Sequence, residues 1–137
     1  MIKLKNHNLI DVVEFLDKAE LKPKASRVRT KLNKLLIDKV SDLNRDEREL
    51  LDQFGKKDEN GKLIENGGTF TLIEDTAPEF HREKAALFEE VTSINVDELK
   101  DKLKTLIEEL ENSDTKLSGK DAETLDVLLD ALEAETV

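Results

Sequence analysis

Residues 23–54 read PKASRVRTKLNKLLIDKVSDLNRDERELLDQF, and the rhythm of that stretch decides the fold. Val28, Leu32, Leu35, Leu36, Val40, Leu43, Leu50, Leu51 and Phe54 recur at steps of three and four, which keeps apolar side chains on one helical face. Pro23 suits a first helical turn, where its missing N–H costs nothing, and Gly55 is a natural stop. The spacing therefore predicts a helix over about 23–54. Unbroken, it would be ~48 Å long at 1.5 Å per residue. A compact chain of this length is only roughly 37 Å across. The helix must then break near Asn44-Arg45-Asp46 or project as an arm, and we read it as an arm.

The next segment carries Asn-Gly twice, at 60–61 and 66–67. The second pair lies between Leu63-Ile64 and Phe70-Thr71-Leu72, whose alternation is that of strands, so a β-hairpin is expected there. Thr76 with Glu79 has the form of a capping box, and Pro78 fits a first turn. Ala77, Phe80, Lys84, Leu87, Phe88 and Val91 then predict a helix over about 77–91 that packs back along the first. The expected arm, about 23–91, is a coiled-coil-like antiparallel helical hairpin with a small β-hairpin at its tip.

Outside the arm, residues 2–5 alternate apolar and basic, and residues 91–96 alternate weakly, so the two could pair as short strands. Asn8, with Asp11 behind it, predicts a helix over about 8–19. Asn95 with Glu98 caps a further helix bearing Leu99, Leu103, Leu106, Ile107 and Leu110. Ser118 with Asp121 caps another, with Ala122, Leu125, Leu128, Leu129 and Leu132 facing inward. The fold class expected is mainly α with minor β, an α+β chain of about five helices forming a single domain over 1–137.

Of the 137 residues, 22 are basic and 32 acidic, a formal charge of −10. Residues 1–34 are net basic, whereas both later thirds are net acidic. Cysteine is absent, which removes disulfides and thiolate chemistry. The opening Met1-Ile2-Lys3-Leu4-Lys5 does not have the form of a signal peptide, and no apolar run approaches a membrane span. These features lead us to expect a soluble, intracellular protein.

The common chemistries fail at named positions. His7 and His81 are the only histidines, and neither stands in a zinc-binding pattern. The turn Asp58-x-Asn60-Gly61 has part of a calcium loop, but Lys56 and Gly67 occupy positions that need an acidic side chain. No Gly-x-Ser-x-Gly, Gly-x-Gly-x-x-Gly or Walker A pattern occurs. No catalytic residue, cofactor or metal ligand is therefore assigned, and the expectation is a protein that binds rather than catalyses.

One charged cluster stands out. Lys24, Arg27, Lys31 and Lys34 share a helical face at three- and four-residue steps, with Arg29 beside them. These five residues are the candidate partner-binding set. Their expected counterpart is an acidic surface, either the chain's own acidic fourth or fifth helix or a partner's. Nucleic acid ranks lower, since tyrosine and tryptophan are absent and base stacking lacks its usual platform.

Ile-Lys-Leu-Lys-Asn (2–6), Val-Val-Glu-Phe-Leu (12–16) and Leu-Lys-Pro-Lys-Ala-Ser-Arg-Val-Arg-Thr-Lys-Leu-Asn-Lys-Leu-Leu (21–36) resemble a family of small uncharacterised phage and prophage proteins of Gram-positive, lactic-acid-type bacteria. Leu50-Leu51-x-x-Phe54-Gly55-Lys56-x-Asp58-Glu59-Asn60-Gly61 and Ser118-Gly119-x-x-Ala122-Glu123 extend the resemblance over nearly the whole chain. The resemblance implies a gene among late functions, near tail and lysis genes. It implies no activity. Arg27, Arg29 and Lys31 lie in its most recognisable stretch. On this basis we expect an accessory protein of the structural or assembly type, whose partner is another phage or host protein or a second copy of itself. The alternatives are an acidic inhibitor that mimics nucleic acid, and a nucleic-acid binder acting through residues 22–34.

Overall fold

The computed structural model describes residues 1–136. The fold is mainly helical with minor β structure: β1 (Ile2–Lys5), α1 (Asn6–Lys18), α2 (Pro23–Phe54), β2 (Glu65–Asn66), β3 (Thr69–Phe70), α3 (Ala77–Glu89), β4 (Val91–Ile94), α4 (Leu103–Glu111) and α5 (Gly119–Thr136). Of the two readings of 23–54, a break near Asn44-Arg45-Asp46 or one continuous helix, α2 is the continuous one, 32 residues long. Two compact units divide the chain: residues 1–40 with the chain from Val91 onward, and Ser41–Glu90. The boundary falls inside α2 rather than at Pro23, because the first half of the helix buries its apolar face in the same core as the terminal elements.

That first core begins with strand pairing. β1 and β4 are antiparallel, with Ile2 opposite Ile94 and Lys5 opposite Val91. Ile2, Leu4 and Ile94 are buried, as the period of two requires. β1 runs directly into α1, which starts at Asn6 and not at the predicted Asn8 cap. The reason is tertiary: Asn6 is buried, and its Oδ1 accepts a hydrogen bond from the Thr92 hydroxyl of β4. Leu9, Val12 and Leu16 of α1 then meet Ala25, Val28, Leu32 and Leu36 of α2 in the buried set.

The predicted Asn95 cap is displaced: Val96 takes the cap position with no side-chain cap bond, while Asn95 Oδ1 accepts from the Asp97 N–H at 2.9 Å in a local turn. The chain continues from there as a 3-10 segment, Asp97–Lys102, before α4 begins. Leu99, Leu103, Leu106, Ile107 and Leu110 are all buried. In α5, Leu128 and Leu132 are fully buried, whereas Leu125 and Leu129 are half-buried and Ala122 is exposed. Thr124, which the apolar pattern passes over, is buried instead.

The second unit is a helical hairpin in its own right. Phe54 of α2 meets Phe80 of α3 with ring centroids 6.1 Å apart, and Lys84 reaches Glu47 at 3.2 Å. As one number rises the other falls, so the helices run antiparallel. The capping box at Thr76 does not form. A 3-10 turn, Glu74–Thr76, precedes α3, and the Thr76 hydroxyl donates back to the Ile73 carbonyl.

The β-hairpin is present but shifted by one residue from the Asn-Gly reading. Asn66 pairs with Thr69, leaving Gly67-Gly68 as the loop, with φ of 60° and 86°. A two-residue loop of this kind needs positive φ at both central positions, which glycine adopts without steric cost. Asp58 closes the first turn, its Oδ1 accepting from the N–H groups of Asn60 and Lys62.

Gly55 comes after α2, but not as a left-handed cap, since its φ is not among the positive ones. It is needed for close approach: a Cβ there would lie 2.4 Å from the Leu51 carbonyl oxygen and 2.4 Å from Leu63 Cδ2. Gly55→Ala is therefore expected to destabilise Ser41–Glu90 by about 1–3 kcal/mol, the usual cost of overpacking. Amide hydrogen exchange should show faster opening within 41–90 and no change in the first core.

Candidate partner-binding surface

The exposed face of α2 in the first unit exists because the opposite face is spent on the core. Ala25, Val28, Leu32 and Leu36 point inward, so Lys24, Arg27, Lys31 and Lys34, one or two positions away, stand toward solvent. The structure separates Arg29 from this group. Its Nη1 donates to the carbonyls of Leu16 at 2.9 Å and Ala19 at 2.7 Å, and its Nη2 donates to Ser26 Oγ at 2.8 Å. These carbonyls lie at the C-terminal end of α1, where the helix dipole is negative and the last carbonyls lack the full set of intrahelical donors. Arg29 thus caps α1 and ties it to α2. The same atoms are engaged within the fold and are not offered to a partner.

The other four remain together. Lys24, Arg27 and Lys31 line a recess of about 320 Å³ with Val28, and its far side is Lys102 and Thr105. Lys31 and Lys34 border a second hollow with Leu35 and residues 95–99. The sequence did not single out Lys102. Its signal was Lys100, Lys102 and Lys104 recurring within an otherwise acidic third, but only the 3-10 turn into α4 carries Lys102 to the α2 recess.

The stripe borders the start of the fourth helical segment, sharing one hollow with Asp97 and Glu98 and the other with Lys102 and Thr105, but no ion pair within 4.0 Å joins the two among the described residues. The ion pairs that join the basic and acidic parts of the first unit use other residues. Lys18 faces Asp121 at 3.5 Å, Lys22 faces Glu109 at 4.0 Å, Lys120 faces Asp11 at 2.8 Å, and the Met1 amine faces Glu135 at 2.7 Å. Among the described residues, Lys24, Arg27, Lys31, Lys34 and Lys102 have no carboxylate within 4.0 Å. The recess sets Lys24, Arg27 and Lys31 opposite Lys102 and Thr105, so the charged group across it is another lysine and not a carboxylate.

The acidic side has its own tension. Glu133 shares a hydrogen bond with Glu111, and that bond, partial desolvation and the nearby charges of Glu111, Asp130 and Asp126 raise its pKa above the usual carboxylate value. Glu135 moves the opposite way, because the N-terminal amine donates to it. Among the described residues, no group of three His, Asp or Glu side chains gathers as a metal site. No helix among them is long and apolar enough to cross a membrane. Comparison of the chain with known protein families, characterised proteins and solved structures gives no match.

Two measurements check this arrangement. Arg29→Ala is expected to cost about 1–3 kcal/mol in urea unfolding, the range for losing charge-assisted hydrogen bonds to partly buried carbonyls. Lys24→Ala and Lys31→Ala should stay within about 0.5 kcal/mol, as for exposed sites with no partner. Glu133 binds its proton more tightly folded than unfolded, so its contribution to stability grows as pH falls through its raised pKa and is lost as pH rises above it. Glu133→Gln is therefore expected to melt higher than the parent at neutral pH. The gap should close as pH is lowered through the carboxylate range.

Proposed function

We propose that this chain is a non-enzymatic binding factor of the structural or assembly type, belonging to a phage or prophage. The observation that carries the binding part is the recess on α2. Four cations, Lys24, Arg27, Lys31 and Lys102, converge there from two distant parts of the sequence, and none makes an ion pair within 4.0 Å among the described residues; the lining carboxylates Asp97 and Glu98 belong to the adjoining hollow. In a chain with ten more acids than bases, that is an arrangement the fold itself does not need. Like charges side by side repel, and a partner's carboxylates would relieve them. Val28 at the floor and Thr105 at the edge supply an apolar contact and a hydroxyl. The phage setting rests on the sequence resemblance alone.

On this reading the partner is an acidic surface of another phage or host protein, met in the host cytoplasm or in the virion, and self-association is the alternative. The acidic-inhibitor reading has less support, because Asp121, Glu135 and Glu109 already face cations within the chain. Nucleic acid would use the same cations, so one experiment separates the two. Affinity capture from induced lysogenic cells is expected to recover a defined acidic protein. Its retention should fall steeply with salt, since exposed charges are screened beyond about 8 Å at physiological ionic strength. The triple variant Lys24→Glu, Arg27→Glu, Lys31→Glu should lose it. A strictly monomeric protein that captures nothing, or a partner that the triple variant still holds, overturns the proposal. A low-salt mobility shift with DNA or RNA, lost in the triple variant, would assign the face to nucleic acid instead.

A further inference from the structure

The first unit has another surface that its core does not cover. A cleft of about 600 Å³ opens between the end of α1, the end of α4 and α5, and its walls are largely Phe15, Leu21, Leu110, Leu117, Leu125 and Leu129. Leu125 and Leu129 follow the inward rhythm of α5 yet stay half-buried, because the core closes over the line of Thr124, Leu128 and Leu132. The apolar stripe of α5 is thus wider than its own chain can cover.

The rim is anionic. Glu20, Glu111 and Asp121 stand around it, and only Asp121 has a cation, Lys18. Glu20 and Glu111 have no cation within 4.0 Å among the described residues. Glu111 instead shares a hydrogen bond with Glu133, so two carboxyl groups are held together beside the opening. α4 also ends at this place with no basic residue in its last turn, which leaves the negative end of its dipole uncompensated.

We propose that this cleft docks a basic amphipathic segment of a partner protein, with apolar side chains in the cleft and Lys or Arg on Glu20 and Glu111. An apolar floor with an acidic rim selects that chemistry: the floor takes residues spaced three and four apart along a helix, and the rim takes the flanking cations. A second copy of this chain does not fit. Its own basic helix, α2, keeps Val28, Leu32 and Leu36 buried, and Ile37 is the one exposed large apolar side chain beside its lysines among the described residues, where the cleft needs a stripe. The proposal is independent of the α2 recess, which has the opposite charge and would take a different partner. Together the two surfaces would let one small chain bridge partners of opposite charge.

The test uses the full chain and a dye-labelled synthetic helix of Leu and Lys, with a Leu/Glu counterpart of the same pattern. Fluorescence anisotropy should show binding of the Leu/Lys peptide and none of the Leu/Glu peptide. Amide shifts should be confined to residues 15–21, 110–117 and 121–129. Glu20→Lys with Glu111→Lys is expected to weaken binding about tenfold or more, as close rim charge pairs do. Asp38→Lys with Glu98→Lys changes net charge equally outside the cleft and should alter affinity by no more than about twofold. Leu117→Asp should abolish binding; Leu117 lies in the segment between α4 and α5, outside the buried core, so melting temperature serves as its control. Equal losses in both charge pairs would mean general attraction to an acidic protein and would overturn the docking site. So would a Leu117→Asp variant that folds and still binds. Shifts confined to the cleft with the neutral apolar dye 1-anilinonaphthalene, and none with the peptide, would assign the cleft to a small ligand instead.

Discussion

An amphipathic helix of 32 residues must bury its apolar face, because helical propensity alone stabilises such a segment only marginally in water. α2 meets that need twice along its length. Ala25, Val28, Leu32 and Leu36 enter the core built by β1, α1, β4, α4 and α5, while Leu43 and Phe54 enter the smaller core of Ser41–Glu90 with Phe80. The two halves of the helix belong to different compact units, and the helix is continuous through the boundary between them.

That burial also dictates the charge layout. Once α2 turns Val28 and Leu32 inward, Lys24, Arg27, Lys31 and Lys34 are forced outward on the far side. The pairing of basic and acidic parts then falls to residues at element ends: Lys18, Lys22, Lys120 and the N-terminal amine. Exposed pairs of this kind contribute little each, about 0–1 kcal/mol. They leave one surplus of cations on α2 and one surplus of carboxylates where α4 and α5 meet. Arg29 is the exception that explains the rule. Two positions from Arg27 and Lys31, it points along the α1 contact, where the carbonyls of Leu16 and Ala19 are within reach of its fork.

Apolar periodicity is enough to read five helices, to let residues 2–5 pair with the stretch after α3, and to place a hairpin between Leu63-Ile64 and Phe70-Thr71-Leu72, whose paired residues are in fact 65–66 and 69–70. These features come from local rules: steps of three and four for helices, alternation for strands, glycine where φ must be positive. Helix starts were legible less often. Asn8 and Thr76 have the right side chains for caps, yet Asn6 and a 3-10 turn at Glu74–Thr76 take those places. A cap contributes about 1 kcal/mol, and a buried contact such as Asn6 with Thr92 outweighs it.

By itself, then, the sequence determined the helical class, the long second helix, the hairpin turn and the basic face carrying Lys24, Arg27, Lys31 and Lys34. Each of these arises from residue type and spacing along one segment. Only the tertiary structure decided that Arg29 belongs to the α1 end and not to that face, that Lys102 joins the recess from about 70 residues away, and that Leu125 and Leu129 border a cleft rather than the core. The physical reason is the same for all three. Which groups a side chain reaches depends on how neighbouring helices cross it, and spacing along one chain segment contains no information about that crossing.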